Sequence, residues 1–575
     1  MKAPPLAWIE RWSLRAGLFL LPLGFSLDTY DQYVLPKLLV ARALVLLLLL
    51  LFVTRIAISG QVTIKRTPLD LPLLAFVASA VLSTVVAENQ NVAIFGTYGR
   101  YDGLLTLLTY VALFWLVVQT LHSTAEARSL LRVLLASGYV VAIIAILQSV
   151  NDTVRQGEVV PAFGSLGNPN VLGAFLAMVF ALACRELVAA HLISTRILTI
   201  NVLAIVGLAL LLSFSRSGWL GAAVGTAIIV AVAARKRASR LSVAAGLAAI
   251  LVAVLVVAAV AGRRLGGGFE LERLLVARAL TLFNLSTWGG SRLHIWVDSL
   301  RLIASRPLAG YGPDNFGLVF PRFQTGDWGL GARDVHQQID KAHAETLQVM
   351  ATQGLIGLAA YVWTAAAFVR SFWAGHRQEM SVGILAAFAA YQITIQLNFT
   401  ALGSAVPFWI FTAAAIVSFE AERPRVSVIP WPRPARGVAI AVAAGLVAAA
   451  VPAVVNPYLA DSQLRLAVNA EYAGDRNAAW MFAGRAAGLA PQESVNEVEV
   501  ANVAIDRHDL AAARAAYLDA IRLGTYNPFV YRNLALVDIQ LGLRAEALSA
   551  AQKAVELDRF DPANQALLAQ LEAPS

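Results

Sequence analysis

Cysteine and charge are both scarce in this sequence. The 575 residues include one cysteine, Cys184, so an internal disulfide framework and a thiolate metal cluster are excluded. We expect Cys184 to be a small buried apolar residue, because free cysteines usually behave in this way. Only 14% of the residues are charged and 58% are hydrophobic, whereas roughly a quarter of an average soluble domain is charged. This composition predicts an integral membrane protein.

Apolar runs recur along the chain up to Val455. A helix needs about 20 apolar residues to cross a hydrocarbon core of ~30 Å. Thirteen spans are predicted on this basis, at 16–27, 35–54, 70–87, 102–121, 129–149, 169–184, 197–214, 217–234, 241–262, 344–369, 381–398, 402–419 and 437–455. The basic N-terminus is similar to that of a signal peptide, but no small-x-small cleavage site follows. We therefore interpret the first run as an uncleaved helix.

The basic residues predict how these spans are oriented. Loops on the cytoplasmic side of a membrane carry an excess of Lys and Arg. With a cytoplasmic N-terminus, twenty Lys and Arg residues fall in the inner segments, and three, Arg100, Arg155 and Arg216, fall in the short outer segments. This distribution predicts that the long polar loop 263–342 and the C-terminal region 456–575 both face the extracytoplasmic side.

The total charge of +9 does not predict a nucleic-acid partner. The C-terminal region 456–575 holds ten Lys and Arg and fifteen Asp and Glu, a net charge of −5, which leaves +14 for the rest of the chain. Much of that excess lies in short loops between spans, as a topology signal does. The outward loops also lack H-E-x-x-H, D-x-D and clustered metal ligands, so no metal or other cofactor is predicted.

The C-terminal region carries an internal repeat, with a period of about 34 residues. Residues of similar type recur at this spacing, as in Ala467, Ala501 and Ala535, and in Leu489, Leu523 and Leu557. The period and the small residues resemble the tetratricopeptide repeat, in which helical hairpins stack into a solenoid. The predicted architecture is therefore all-α, with a polytopic membrane helix bundle at 1–455 and an extracytoplasmic α-solenoid at 456–575.

Two short outer segments combine polar residues with the end of a span. The segment G-T-Y-G-R-Y-D-G at 96–103 contains Arg100 and Asp102, and S-F-S-R-S-G at 213–218 places Arg216 in a tight turn between two spans. A local ion pair with interfacial aromatic residues is an equal interpretation of the first segment. A snorkelling side chain is an alternative role for Arg216.

The long outer loop supplies further candidates. Arg292, Arg306 and Arg322 lie in it, and His343 stands where the loop meets a predicted span. A guanidinium suits a diphosphate, because its planar fork donates paired hydrogen bonds and stays charged. An imidazole titrates near neutral pH and is the usual general base. A capping or interfacial role for His343 remains an alternative.

One part of this loop has helical periodicity. The segment 292–304 places Leu293, Trp296, Leu300 and Ile303 at helical spacing, which predicts an amphipathic helix able to lie on the membrane surface. His294 in this helix and His336 further along the loop are alternative general bases.

Four segments, in this order, resemble the O-antigen ligase and polymerase superfamily, which includes bacterial protein O-oligosaccharyltransferases. They are G-N-P-N-V-L-G-A-F-L at 167–176, S-R-S-G at 215–218, S-R-L-H-I-W…S-R-P-L-A-G-Y-G-P-D-N-F at 291–316 and H-A-E-T-L-Q…Q-G-L-I-G-L at 343–358. The resemblance covers roughly residues 10 to 420. It implies a GT-C-like fold in the bacterial cytoplasmic membrane. It also implies metal-independent transfer of a glycan from undecaprenyl diphosphate to an acceptor hydroxyl.

The resemblance also implies roles for individual residues. Arg216 and Arg292 match arginines of the family that hold the donor diphosphate, and His343 matches the proposed base. We predict that Arg100 and Arg322 also bind the substrate. Ala344 departs from the family, since many members have Asn there, and this residue bears on acceptor contacts. The acceptor would be a lipid, a growing glycan or a protein, and the repeats would bind a partner protein.

Two other classes of function remain as alternatives. Ionisable residues through the centres of spans favour a transporter or flippase, and Lys37 and Arg42 in the second predicted span are the main residues of this kind. A membrane-anchored scaffold that works only through its repeats would leave twelve of the spans without a role.

Overall fold

The protein is almost entirely helical in a computed structural model that describes residues 5–233, 285–326, 338–375, 381–420 and 425–573. Its first helices are α1 (Pro5–Leu20), α2 (Val34–Ser59), α3 (Asp70–Val85), α4 (Gln90–Phe95), α5 (Leu104–Thr120), α6 (Thr124–Gln156), α7 (Pro169–Ala189), α8 (Ile193–Leu212) and α9 (Arg216–Ala233). They are followed by α10 (Leu285–Ser305), α11 (Phe316–Val319), α12 (Glu345–Gly375), α13 (Ser381–Gln396) and α14 (Leu402–Phe419). The predicted all-α class is confirmed.

Seven helices in the described ranges are long and apolar enough to cross a membrane: α2, α6, α7, α8, α12, α14 and Arg433–Tyr472, which is α15. The shorter helices α3, α5, α9 and α13 are also apolar. Together they lie on eleven of the thirteen predicted spans. The ninth predicted span, 241–262, lies outside the described residues.

The first predicted span, 16–27, does not coincide with a helix. Helix α1 begins at Pro5 and ends at Leu20, because Pro22 and Gly24 follow and proline disrupts a continuing helix. The upstream half of α1 is held by charge, since Arg11 pairs with Glu126 at 2.6 Å and Arg55 with Glu10 at 2.9 Å. The apolar run therefore starts inside a helix that polar contacts extend towards the N-terminus.

Helix α7 lies at the centre of the membrane bundle and packs on α6, α8, α9, α13 and α14. Small residues let α7 and α9 approach closely. A Cβ atom added to Gly218 would lie 2.8 Å from the Cα of Gly173, and one added to Gly221 would lie 2.4 Å from the carbonyl oxygen of Ala390 in α13. This close packing fixes the start of α9 against both neighbours.

A small sheet, which the all-α prediction did not include, joins two connecting segments. Strand β1 (Gln61–Arg66) pairs antiparallel with β2 (Arg425–Pro430), with Gln61 opposite Pro430 and Arg66 opposite Arg425. Apolar and polar residues alternate in V-T-I-K of β1, whereas Val426, Val428 and Ile429 of β2 are exposed. The pairing places these two predicted inner segments on the same side.

Seven helices build the C-terminal part: the end of α15, then α16 (Arg476–Leu489), α17 (Ser494–Asp506), α18 (Leu510–Arg522), α19 (Pro528–Gln540), α20 (Arg544–Leu557) and α21 (Pro562–Glu572). The starts of α17, α19 and α21 keep the predicted period, and so do those of α16, α18 and α20. The predicted helical repeat is confirmed. The first helix of each repeat is α15, α17 or α19. After these helices, Gly474, His508 and Gly542 have φ of 78°, 62° and 77°, the left-handed conformation that ends many helices.

The last apolar helix continues into the first repeat without a break. Helix α15 runs from Arg433 to Tyr472, so the predicted boundary between Val455 and Asn456 falls inside it. Pro452 and Pro457 lie within this helix. The C-terminal half of α15 contacts the membrane bundle, since Asp461 accepts hydrogen bonds from the backbone N–H of Asp31 and the hydroxyl of Tyr98.

Candidate functional site

The turn between α13 and α14 is the meeting point of several predicted site residues. Arg292 on α10 donates a hydrogen bond of 2.7 Å from Nη1 to the carbonyl oxygen of Leu397. The ring of Phe399 lies 5.5 Å from the imidazole of His343, and the guanidinium of Arg100 lies over the same ring at 5.1 Å. Three predicted residues from distant parts of the chain therefore converge on this turn.

Arg216 lies close to the same segment through its backbone neighbours. The hydroxyl of Thr394, one turn before Leu397, donates to the carbonyl oxygen of Ser217 at 3.3 Å. On the other side, Ser215 donates to Oδ1 of Asn170 at 3.1 Å. The turn that carries Arg216 is thus held between α7 and the end of α13.

His343 occupies a distinctive position immediately before α12. Its φ is 52°, a left-handed conformation that is uncommon for residues other than glycine. Glu345, two positions later, opens the helix and accepts a hydrogen bond of 2.8 Å from the backbone N–H of Thr400. This contact ties the start of α12 to the α13–α14 turn and so positions the imidazole beside Phe399.

The electrostatic surroundings keep the imidazole of His343 uncharged. Desolvation, together with the positive charges of Arg292 and Arg100, lowers the pKa of His343 to about 4. Its Nδ1 is buried and makes no hydrogen bond within the described residues. At neutral pH the ring is therefore in the form that can accept a proton.

A buried ion triad, which sequence reasoning missed, lies next to this cluster. Lys341 Nζ lies 2.7 Å from a carboxylate oxygen of Asp102 and 2.7 Å from one of Asp314. Burial alone would lower the pKa of Lys341, but the two carboxylates outweigh it and raise this pKa above its usual value. Asp314 has φ of 56° and also accepts hydrogen bonds from the backbone N–H and hydroxyl of Thr97.

The triad holds three segments of the site together. Asp102 belongs to the outer segment 96–103, Asp314 to the G-Y-G-P-D-N-F segment and Lys341 to the stretch of loop before His343. In the same place, Arg100 pairs with Asp340 at 2.5 Å. The one sequence signal for these contacts was the presence of Asp102 beside Arg100.

Arg322 is not brought to this cluster. Its Nη2 lies 2.6 Å from Glu88 and its Nε 2.9 Å from Glu556 of α20. Arg306 lies 3.6 Å from the same Glu88 and stacks over the ring of Tyr311. Both arginines therefore join the outer loop to neighbouring elements. Of the alternative bases, His294 is exposed on α10, and His336 lies outside the described residues.

The repeats are docked directly onto the segments that carry the site. Asn91 on α4 donates from Nδ2 to the carbonyl oxygens of Gln492 and Leu523 at 2.9 and 3.0 Å. The connection between α18 and α19 places Tyr526 against Gly317, close enough that a Cβ atom there would lie 3.0 Å from the ring. Burial, followed by the negative charge of Asp340, raises the pKa of Tyr526.

Two cavities meet at the cluster. One of about 140 Å³ lies among α3, α5, α12, α13 and α14, and its lining includes the triad of Asp102, Asp314 and Lys341 as well as Phe368, Phe388 and Phe408. The other, of about 160 Å³, lies beside Arg100, Lys37 and Asn168. Asp102 and Phe399 line both cavities. A lining that combines charged and aromatic side chains suits an amphiphilic ligand.

Lys37, one of the two ionisable residues in the second predicted span, is fixed in place. Its ammonium donates to the carbonyl oxygens of Gly24, Tyr33 and Ser165 at 2.7, 2.8 and 2.6 Å. These three bonds use all the donors of a lysine. Lys37 therefore joins three segments of backbone.

Comparison with known proteins finds a similarity in the central part of the chain. Residues 201–362 match the family model described as O-antigen ligase. The structure search finds, among others, the crystal structure of the APC/C hetero-tetramer Cut9–Hcn1, with 12% identity, coverage of 82% of this chain and 92% of that chain, and a TM-score of 0.19. No curated protein matches the sequence. The matched segment includes Arg216, Arg292 and His343, so the part of the chain that carries these predicted site residues is similar to the O-antigen ligase family.

Proposed function

We propose that this protein transfers a glycan from undecaprenyl diphosphate to an acceptor hydroxyl at the extracytoplasmic face of a bacterial cytoplasmic membrane. The observation that carries this proposal is the convergence of Arg100, Arg292 and His343 on the α13–α14 turn. The family of residues 201–362 gives independent support for a lipid-linked glycan as substrate. The proposed class is a GT-C-type glycosyltransferase that needs no metal.

In the proposed mechanism, arginines hold the donor diphosphate. Arg216 and Arg292 bind its oxygens, and Arg100 adds positive charge from the other side of Phe399. As the bond between the anomeric carbon and the diphosphate oxygen breaks, the bonding electrons move to that oxygen. The arginines stabilise the growing negative charge, and this kind of electrostatic stabilisation is usually the largest contribution to catalysis.

His343 accepts the proton of the acceptor hydroxyl in this mechanism. The hydroxyl oxygen attacks the anomeric carbon from the face opposite the diphosphate, so the configuration at this carbon is inverted. The imidazole is neutral before the reaction because its pKa lies at about 4. A bound diphosphate adds negative charge beside the arginines, which raises the pKa of His343 and makes it a stronger base.

Transfer from a lipid-linked glycan by purified protein in liposomes tests the proposed base. We expect His343→Ala to lower the rate at least a hundredfold, because a positioned general base contributes about 10²–10⁴-fold. His294→Ala is the matched control, since this histidine lies in the same loop but is exposed on α10. Near-normal turnover by His343→Ala would exclude the proposed base.

The acceptor and the role of the repeats are the second part of the proposal. Residues 1–455 would form the transferase domain, and residues 456–575 would recruit the acceptor or a partner protein beside it. The contacts of Asn91 and Tyr526 with the site segments support this arrangement. Deletion of the gene, followed by analysis of surface lipids, polysaccharides and glycoproteins, identifies the acceptor by the product that disappears. Normal levels of all three products would contradict the proposal.

A further inference from the structure

We propose that α10 lies in the surface of the bilayer and contacts acyl chains through one apolar stripe, formed by Leu293, Val297, Leu300 and Ala304. Leu293, Val297 and Leu300 expose 53%, 41% and 53% of their surface, and Ala304 is exposed as well. At about 100° per residue, the four positions fall within roughly 60° of the helix circumference. An apolar face of this kind on an otherwise polar surface marks an interaction site.

The opposite face of α10 is already covered by protein. Ile295 and Leu302 are buried in a cluster with Val319 and Phe320 of the outer loop. Asp298 on this face accepts hydrogen bonds from the N–H and hydroxyl of Thr325. The helix therefore has two distinct apolar faces, and the packing of the loop accounts for one of them. Of the predicted apolar face, Leu293 and Leu300 are exposed, but Ile303 is buried with the loop cluster, so the prediction was wrong for this residue.

The stripe continues into a second group of exposed apolar residues. After α10, the chain turns through Leu308, which is 65% exposed and accepts a hydrogen bond from the backbone N–H of Ile356 on α12. Leu355 and Ile356 are exposed too. Helix α12 is interrupted at Gly354, with φ of 67° and ψ of −168°. Leu355 and Ile356 therefore begin the second part of this helix, which ends at Gly375.

The length of the second part of α12 indicates where the bilayer surface lies. From Leu355 to Gly375, α12 is about 30 Å long at 1.5 Å per residue, which equals the thickness of a hydrocarbon core. With this part of α12 as the span, in place of the predicted 344–369, Leu355 and the adjoining Leu308 stand at the boundary between acyl chains and headgroups. Since α10 ends at Ser305, shortly before Leu308, the end of its stripe reaches the same level.

Charged and aromatic residues flank the stripe in a way that fits a headgroup layer. Arg301 lies beside it with half of its side chain exposed, and Arg306 follows the end of the helix with its side chain partly exposed. Trp296 lies on the other flank, between the stripe and the buried face. Basic residues that extend to the phosphates, and tryptophan at the interface, are typical of helices in this position.

The partner that this face fits is therefore a phospholipid surface, and the contact has a consequence for the site. Arg292, immediately before the stripe, bonds to the carbonyl oxygen of Leu397 beside His343. A helix held by the bilayer along the stripe holds Arg292 at a fixed depth. The membrane surface is in this way part of the support of the cluster.

Depth-dependent fluorescence quenching tests the inference. The full-length protein with Cys184→Ala and Leu300→Cys is labelled with an environment-sensitive fluorophore and placed in nanodiscs of phosphatidylcholine and phosphatidylglycerol. We expect lipids brominated near the top of the acyl chain to quench this label at least twofold, and aqueous iodide to leave it unaffected. Val297→Cys provides a second label in case one variant does not fold. Met481→Cys, exposed on α16, is the matched control and should show the reverse.

Each other outcome contradicts the inference in a specific way. Quenching by iodide at both 297 and 300 would place the stripe in water. Protection from both quenchers would place protein over it, such as a second copy of this chain. Neither result depends on glycan transfer, so the inference and the proposed enzymatic function are tested separately.

Discussion

Lys341 and Asp314 form an ion pair of 2.7 Å that is buried on both sides. The ammonium reaches Asp102 at the same distance, so one side chain pairs with two carboxylates that come from segments far apart in the sequence. Removing one partner of a buried ion pair leaves an uncompensated charge, and this is far more costly than the loss of an exposed pair.

We therefore predict that Lys341→Met strongly destabilises the protein. The expected loss is about 3–5 kcal/mol, the usual effect of breaking a buried ion pair, because Asp102 and Asp314 remain without their counter-charge. Thermal unfolding in detergent measures it. Lys553→Met is the matched control, since Lys553 pairs with Glu556 on the partly exposed surface of α20. An equal change in Tm for the two variants would contradict this reasoning.

The pH dependence of stability follows from the lowered pKa of His343. The folded protein keeps this imidazole neutral down to a pH of about 4, whereas the unfolded chain binds a proton near pH 6.5. Between these values the unfolded state holds more protons, so the contribution of His343 to stability falls as the pH falls from 6.5 to 4. We expect His343→Gln to reduce the loss of Tm over this range, and an unchanged slope would show that His343 titrates normally.

Arg292 and His343 should be coupled through charge. The guanidinium of Arg292 is the largest electrostatic cause of the lowered pKa of His343 after burial. In Arg292→Gln, we expect the pKa of His343 to rise, so the acid limb of kcat/KM moves to higher pH, since this limb reports groups of the free enzyme. Arg301→Gln on the same helix removes an equal charge further from the ring and is the control. Identical pH profiles for the wild type and Arg292→Gln would contradict the coupling.

Arg322 provides a test that separates docking of the repeats from substrate binding. Arg322→Glu places a third carboxylate beside Glu88 and Glu556, and like charges at this distance repel. We expect faster amide hydrogen exchange at residues 89–92 and 522–526, where the two parts meet. Adding Glu556→Arg restores one ion pair and should restore part of the protection.

The same double variant distinguishes the two roles of Arg322. If the residue only docks the repeats, transfer should recover together with the protection. If Arg322 holds the donor, as the sequence suggested, transfer should stay low while the protection returns.

The sequence predicts those features of the fold that repeat along the chain. Eleven of the predicted apolar runs coincide with helices. The first residues of α17, α19 and α21 are separated by the predicted repeat period. Both signals are local, because hydropathy and periodicity are properties of one segment at a time. The first span was misplaced, because Pro22 and the ion pairs of Arg11 and Glu10 determine the limits of α1.

The candidate site was predictable only in part. His343 and Arg216 were selected as candidates because they are polar residues at the ends of apolar runs. The contacts around His343 could not be predicted, because the position of Phe399 between His343 and Arg100 depends on the folding of three distant segments. The pairing of Arg322 with Glu556 likewise requires the solenoid to be docked on the loop.

The uninterrupted helix α15 has a practical consequence for work on the repeats. At 1.5 Å per residue, its 40 residues form a rod of about 60 Å. A soluble fragment that starts at Asn456 would begin in the middle of this rod, with the partly exposed Leu459 and Leu466 near a frayed end. A force that a bound protein applies to the solenoid would also tilt or rotate α15, because no flexible linker separates the repeats from the last apolar helix.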